Sequence, residues 1–358
     1  MGGWRQYASG GARRSVRNIK TSIGHRGAGA SQAGAIIRAP QGRPDHPHGP
    51  PSFAPAQQTL LELQQRIHAF SLDTASEYAL DIDDPAGPLW LALQTRLTVA
   101  PLYGGLHVEF FGNPWDEPFE WTLACLSDPG VAAAVMSLRF TGGDEGANGT
   151  REWAFTSLLD SNVQFPRLRS LVISPTAPEH HNTSLIQRAG SIMEEAGEIA
   201  RFASRAPHLT ELVVPNAPDA RFFDVPLPHL NVLQIGGGYD TQHFIEHLAA
   251  SRNLPALGLL DFSESTELQF TWADARQADA VTPFAAYERL FASDAFAAAH
   301  TFRLRNSALS VAQLQTLQAL RPGLQFMVIQ AGMGGYVSHF EKNVFPWAHL
   351  VPGDTGQR

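Results

Sequence analysis

A chain of 358 residues, 44% hydrophobic and 17% charged, is long enough and apolar enough to bury a sizeable core. A single cysteine, Cys125, excludes an intrachain disulfide framework and a cysteine-rich zinc site, and no apolar run reaches the ~18 residues of a membrane-spanning helix. The net charge of −8 is uneven: residues 1–58 hold Arg5, Arg13, Arg14, Arg17, Lys20, Arg26, Arg38 and Arg43 against Asp45 alone, leaving an acidic body that argues against nucleic acid as partner.

Residues 1–58 are rich in Gly, Ser, Pro and Arg and close on a Pro/His/Gly run from Pro40 to Pro55. That composition predicts a disordered basic tail. Its Arg-rich, acid-poor start also resembles an organellar transit peptide, but no apolar stripe at helical spacing supports this. Without the apolar core of a secretory signal, the expected location is cytoplasmic.

Order is predicted from Thr59, and residues 59–130 read as the N-terminal cap of a stacked array. Leu60, Leu63, Ile67 and Phe70 share one helix face, and an acidic turn runs from Asp81 to Pro85. A second periodic segment, Leu89 to Leu97, is expected to end before Pro101. Leu106 to Phe110 then alternates like a strand. The aromatics Phe110, Phe111, Trp115, Phe119 and Trp121 are expected to seal the end of the array rather than form a ligand-binding lip.

From there one phrase recurs. Pro207-His208-Leu209 leads into Leu212 and Val214, and Pro228-His229-Leu230 leads into Leu233 and Ile235. The same spacing joins Val135 to Leu138 and Phe140, Leu168 to Leu171 and Ile173, and Leu257 to Leu260 and Phe262. Weaker copies join Ala299 to Phe302 and Leu304, and Leu324 to Met327 and Ile329. With the first residue as position 1, positions 4 and 6 point to one side of a short strand, and position 1 turns in from the preceding loop. Helical stretches fill most intervals: Ile192 to Ala203 with Glu194, Glu195 and Glu198 on other faces, Thr241 to Ala250 with Thr241 as N-cap, Thr282 to Phe296, and Ser310 to Leu320 with Ser310 as N-cap. Between Leu209 and Leu230 there is little room for a full helix. Strand, turn, helix and strand in this order demand parallel strands.

Over residues 131–332 this pattern resembles the leucine-rich repeat family, whose hallmark is L-x-x-L-x-L-x-x-N/C-x-L. The resemblance implies an α/β solenoid, a curved parallel sheet backed by helices, closest to the ribonuclease-inhibitor-like type, with residues 333–358 as C-terminal cap and tail. It departs at the asparagine position, which holds Thr176, Ala217, Gly238, Ser265 and Ser307.

Catalytic-looking strings are few. His243-Phe244-Ile245-Glu246-His247 matches the inverted zinc-peptidase motif, with two histidines one helical turn apart and a glutamate to act on water, which makes a metal-dependent hydrolase the alternative reading. The expectation is instead a solvated outer helix, because Phe244 and Leu248 mark the buried face and no third ligand is evident. Gly236-Gly237-Gly238 lacks the residues of a phosphate-cradling loop and reads as a tight strand-to-helix turn, and Gly332 to Gly335 is similar. Cys125 lies in an apolar stretch and reads as a small buried hydrophobe. Asn148 and Asn182 fit the glycosylation pattern, the acids from Asp73 to Asp84 lack calcium-loop spacing, and His46-x-His48 is isolated.

What remains is a surface. Positions 5 and 7 line the strand face that the resemblance leaves open, with Arg139, Val172, Val213, Gln234, Asp261, Arg303 and Val328 at position 5 and Arg305 among position 7. A mixed surface suits a protein better than nucleic acid, which favours a continuous basic stripe. The sequence therefore predicts a non-enzymatic, cofactor-free scaffold that binds a protein partner through Arg139, Gln234, Asp261, Arg303 and Arg305, with no metal ligands.

Overall fold

The computed structural model describes residues 53–142, 151–173, 184–186, 196–236, 241–264, 282–329 and 346–350. Residues 1–52 lie outside the described residues, as do Thr176, Ile192, Glu194, Glu195, Gly238, Ser265, Asn148, Asn182 and Gly332 to Gly335.

The first helix, α1 (Ala54–Glu77), starts ahead of Thr59 and buries Leu60, Leu63 and Ile67, with Phe70 half-buried. The Leu89–Leu97 segment is not one periodic element. A short helix, α2 (Pro88–Leu93), gives way to the strand β1 (Arg96–Leu102). Pro101 sits inside β1, against expectation, because β1 is the sheet edge, where a missing backbone N–H breaks no ladder. β2 (Gly105–Phe111) pairs antiparallel with β1 and buries Leu106, Val108 and Phe110.

The helices α3 (Glu117–Leu126) and α4 (Pro129–Ala134) lead to β3 (Val135–Thr141), which pairs parallel with β2. The expected cap thus supplies the first two strands of the main sheet. After it come β4 (Arg151–Trp153), α5 (Thr156–Asp160), β5 (Ser170–Ile173), β6 (Ser184–Ile186), α6 (Glu198–Ala203) and β7 (Glu211–Val214). The rest runs β8 (Val232–Ile235), α7 (Phe244–Ala250), β9 (Leu259–Ser263), α8 (Phe284–Ala292), β10 (Thr301–Arg305), α9 (Val311–Leu320) and β11 (Gln325–Ile329).

Among the described residues, nine strands form one unclosed sheet in the order β1-β2-β3-β5-β7-β8-β9-β10-β11, parallel from β2 onward. Helices back it. β4 and β6 form a separate two-stranded parallel sheet. Between β7 and β8 a short 3-10 helix, Ala220–Asp224, replaces a full helix, as the tight interval predicts.

Six of the seven phrases keep their predicted phase. Leu138, Leu171, Leu212, Leu233, Leu260 and Phe302 occupy one row of the ladder, and Phe140, Ile173, Ile235, Phe262 and Leu304 another. Those side chains are 2% exposed or less. The last copy is a correction: Phe302 pairs with Phe326 and Leu304 with Val328, so Met327 and Ile329 are not its inward residues.

A shared-carbonyl step that recurs from rung to rung and is missing at the last one accounts for that slip. The Arg169 carbonyl accepts from both Thr210 and Glu211, that of Thr210 from Asn231 and Val232, that of Asn231 from Gly258 and Leu259, and that of Gly258 from His300 and Thr301. Two residues therefore face one carbonyl at each of these steps. At β11 the His300 carbonyl takes Gln325 instead, so one residue fewer separates Leu324 from the ladder.

The core near β2 and β3 is aromatic. Phe110, Phe119, Phe140, Trp153 and Phe155 are all fully buried, and Phe119 meets the other four with ring centroids 5.2–5.9 Å apart. Edge-to-face pairs of this kind add about 0.5–1.5 kcal/mol each beyond area burial. Of the remaining predicted aromatics, Trp121 lies under the Arg66 guanidinium at 3.5 Å, Phe111 under Arg96 at 3.7 Å, and Trp115 is exposed. Trp347, after the last strand, is buried and donates from its indole Nε1 to the Ser307 carbonyl at 2.7 Å.

Candidate functional site

Alternation along each strand places positions 4 and 6 in the core and positions 3, 5 and 7 on the opposite face. Parallel pairing in register then lines position 5 into a single row: Glu109, Arg139, Val172, Val213, Gln234, Asp261, Arg303 and Met327. Val328, expected at position 5, belongs to the inward row because of the shifted last rung.

The predicted binding residues divide in two. Arg139 is exposed and stands opposite Glu109, far along the row from the others. Gln234, Asp261, Arg303 and Arg305 come together on β8, β9 and β10. Asp261 is only 1% exposed, which is unexpected for an outward position. It accepts a bidentate pair from Arg305, Nε to Oδ1 at 2.5 Å and Nη2 to Oδ2 at 2.7 Å. The Arg303 Nη1 lies 3.7 Å from the same carboxylate. The hydrogen bonds to Asp261, and its charge, raise the Arg305 guanidinium above its ordinary value against the opposing effect of partial burial. Asp261 positions the arginines, and they present the surface.

Elsewhere on this face polar side chains link neighbouring strands. The Ser170 hydroxyl donates to Glu211 at 2.6 Å, and His107 Nδ1 and the Ser137 hydroxyl are 2.9 Å apart. Val172 and Val213, in the middle of the row, are 6% and 8% exposed.

A group that sequence reasoning missed lies where the chain leaves the strands. Ala217 and Ser307, at the expected asparagine position, are fully buried, and the residue before each, Asn216 and Asn306, is a buried amide. Glu264 takes the same place after β9 and is fully buried. At these three rungs a buried polar residue therefore stands at position 8, one residue ahead of the position the hallmark points to. Burial pushes the Glu264 carboxyl up to about 7, opposed by the Ser307 hydroxyl, the Ala308 amide, Tyr287 and Thr282 nearby. Tyr287 is raised well above its ordinary value, chiefly by burial and then by Glu264, with Glu246 adding to it. Among the described residues, both Glu264 oxygens, the Tyr287 and Thr282 hydroxyls and one Glu246 oxygen are buried with no partner at full hydrogen-bond geometry.

The His243–His247 string is placed differently from expectation. α7 starts at Phe244, so His243 precedes the helix with a left-handed backbone at φ 54°. Thr241 contributes its backbone carbonyl to the Phe244 N–H at 2.8 Å rather than a side-chain cap. His243 Nδ1 lies 3.9 Å from Glu246 Oε1, and the two imidazole rings are 6.4 Å apart. Among the described residues, no group of three or more His, Cys, Asp or Glu is arranged to hold a metal ion. Glu198, expected on an outer helix face, is 7% exposed and accepts the Ala196 N–H at 2.9 Å.

Gly236 has a plain steric role, since a Cβ there would meet the Pro215 carbonyl oxygen at 2.1 Å. Cys125 is half-buried against the core, and burial, with a lesser effect of Asp128, pushes its thiol up to about 11, which leaves it unreactive at neutral pH. No helix among the described residues is long and apolar enough to cross a membrane. Compared with known proteins, the chain matches no family model, no curated protein and no solved structure.

Proposed function

We propose that the chain is a leucine-rich-repeat-like scaffold of the helix-backed, ribonuclease-inhibitor-like type. It acts without catalysis in the cytoplasm and binds a protein partner across the open strand face. The observation that carries this reading is the Asp261 cluster, in which two arginines on one strand are held by a buried acid on its neighbour. Pre-ordered guanidinium groups bind carboxylates with little further loss of freedom, and arginine is enriched where protein interfaces concentrate their binding energy. The partner surface that fits is an acidic segment, with Gln234 as an adjacent polar contact and Arg139 as a separate one.

The test is affinity capture with the full chain, followed by recapture with variants. Arg303→Ala and Arg305→Ala are expected to weaken partner recovery at least about tenfold, a loss of ~1.4 kcal/mol or more. Arg289→Ala on α8 is expected to leave recovery unchanged. Equal recovery with all three variants, or loss only with the helix variant, sinks the strand-face reading.

A further inference from the structure

The histidine of the doubled Pro-His-Leu phrase has no packing role. His208 and His229 are both exposed, one residue before the buried Leu209 and Leu230. In the preceding rung the same place holds Arg167, after Pro166 and before the buried Leu168. Because Ser170, Glu211 and Val232 stand side by side in the sheet, residues three earlier in each rung do too. The repeat therefore stacks Arg167, His208 and His229 along the rim where the parallel strands begin. The rings of His208 and His229 lie 5.6 Å apart at 33°.

Arg167 and His208 line a crevice of about 210 Å³ together with Arg169, Pro166, Met136, Gly104 and Tyr103. Among the described residues, no acid lines it. Arg167 is held in place: its Nη1 donates to the Gly104 carbonyl at 2.9 Å, and its guanidinium lies 5.0 Å over the Phe53 ring. Arg169 is fixed at the backbone, its N–H bonded to Met136 and its carbonyl shared by Thr210 and Glu211. The Arg169 guanidinium is exposed and has no ion pair or hydrogen bond among the described residues. Tyr103, 99% exposed, stands beside it with a hydroxyl and a ring.

We propose that this crevice is a binding site for the phosphate group of a small molecule. Two arginines and a histidine line one crevice, and planar guanidinium groups hold phosphate oxygens bidentately. Residues 59–358 as a whole carry 18 basic against 33 acidic residues, so a general positive field does not account for anion capture here. The site uses the loop residues that introduce each strand, not the strand face, and stands independently of the partner-binding reading.

The probe is inorganic pyrophosphate, titrated calorimetrically into the full chain at physiological ionic strength. Saturable one-to-one binding is expected, weakened about tenfold or more by Arg169→Ala and by His208→Ala, consistent with loss of a charge-assisted hydrogen bond. His229→Ala, one rung outside the crevice, is expected to weaken it less, and Arg252→Ala, exposed beyond α7, not at all. Thermal melting of each variant separates lost binding from lost folding. Absence of saturable binding to the native chain overturns the proposal, as does equal weakening by Arg252→Ala or binding indifferent to both Arg169→Ala and His208→Ala. Tighter binding of citrate than of pyrophosphate overturns the phosphate assignment.

Discussion

Near β2 and β3 the molecule buries rings; near β9 and β10 it buries charge. The first region closes Phe110, Phe119, Phe140, Trp153 and Phe155 on one another. The second also packs aromatics, with Phe302 stacked on Phe326 at 5.4 Å, but it encloses Asp261, Glu264 and the Tyr287 hydroxyl as well. One sheet thus joins an end whose cohesion is indifferent to protons and an end whose cohesion depends on them. Dispersion and apolar burial do not titrate, whereas an enclosed carboxyl costs free energy in its charged form.

The contrast can be broken from either side. Phe119→Ala should produce the largest loss, about 4 kcal/mol in urea unfolding, because it removes a ring packed on every side and leaves a cavity. That loss should be the same at acid and neutral pH. Glu264 supplies the opposite behaviour. Its folded pKa of about 7 lies above the ordinary 4.5, so the folded state holds the proton more tightly. Stability from this group is therefore fully present below pH 4.5 and is lost as pH rises through about 7, a change on the order of 3 kcal/mol. Glu264→Gln should flatten that slope. A wild-type stability that does not fall between those two pH values would remove the distinction between the two ends.

Arg305→Ala should cost about 2–3 kcal/mol, because it leaves Asp261 buried with only Arg303 at 3.7 Å. Asp261→Asn should cost less, about 1–2 kcal/mol, since the Arg305 side chain is 28% exposed and can turn to water. The reverse order, measured by chemical denaturation, would mean that the arginines hold the acid in place for no energetic reason. The smallest effect belongs to Ser310→Ala at the start of α9. The capping box between Ser310 and Gln313 is worth about 1 kcal/mol and should be insensitive to pH even though it sits at the titrating end.

Six rungs were legible because position 4 and position 6 are apolar and the residues between them are mostly not. The seventh was not, because Phe326, Met327, Val328 and Ile329 are four apolar residues in a row, and either pair satisfies the pattern. Only the approach to β11, one residue shorter than in the earlier rungs, decides between them, and its length leaves no mark in hydrophobicity. Ser310 was readable as a cap because its partner, Gln313, stands three residues on. Thr241 was not, because the turn before α7 holds Gln242 and His243 at positive φ, a conformation their side chains do not announce.

For the candidate site, alternation told which residues face away from the core but not which of them are covered. Asp261 looks as outward as Gln234 in the sequence, yet its cover comes from Arg303 and Arg305, more than 40 residues away. The buried polar residues at position 8 escaped notice because the hallmark directs attention to Ala217 and Ser307, while the amides of Asn216 and Asn306 lie one residue earlier.

The shared carbonyls of Arg169, Thr210, Asn231 and Gly258 make the boundaries between successive rungs interchangeable. A copy of residues 209–229 spliced in ahead of Leu230 would present Thr210 to the same pair of donors it meets now, and inward side chains would stay inward. The sheet can therefore be lengthened from its middle without turning its inward side chains outward.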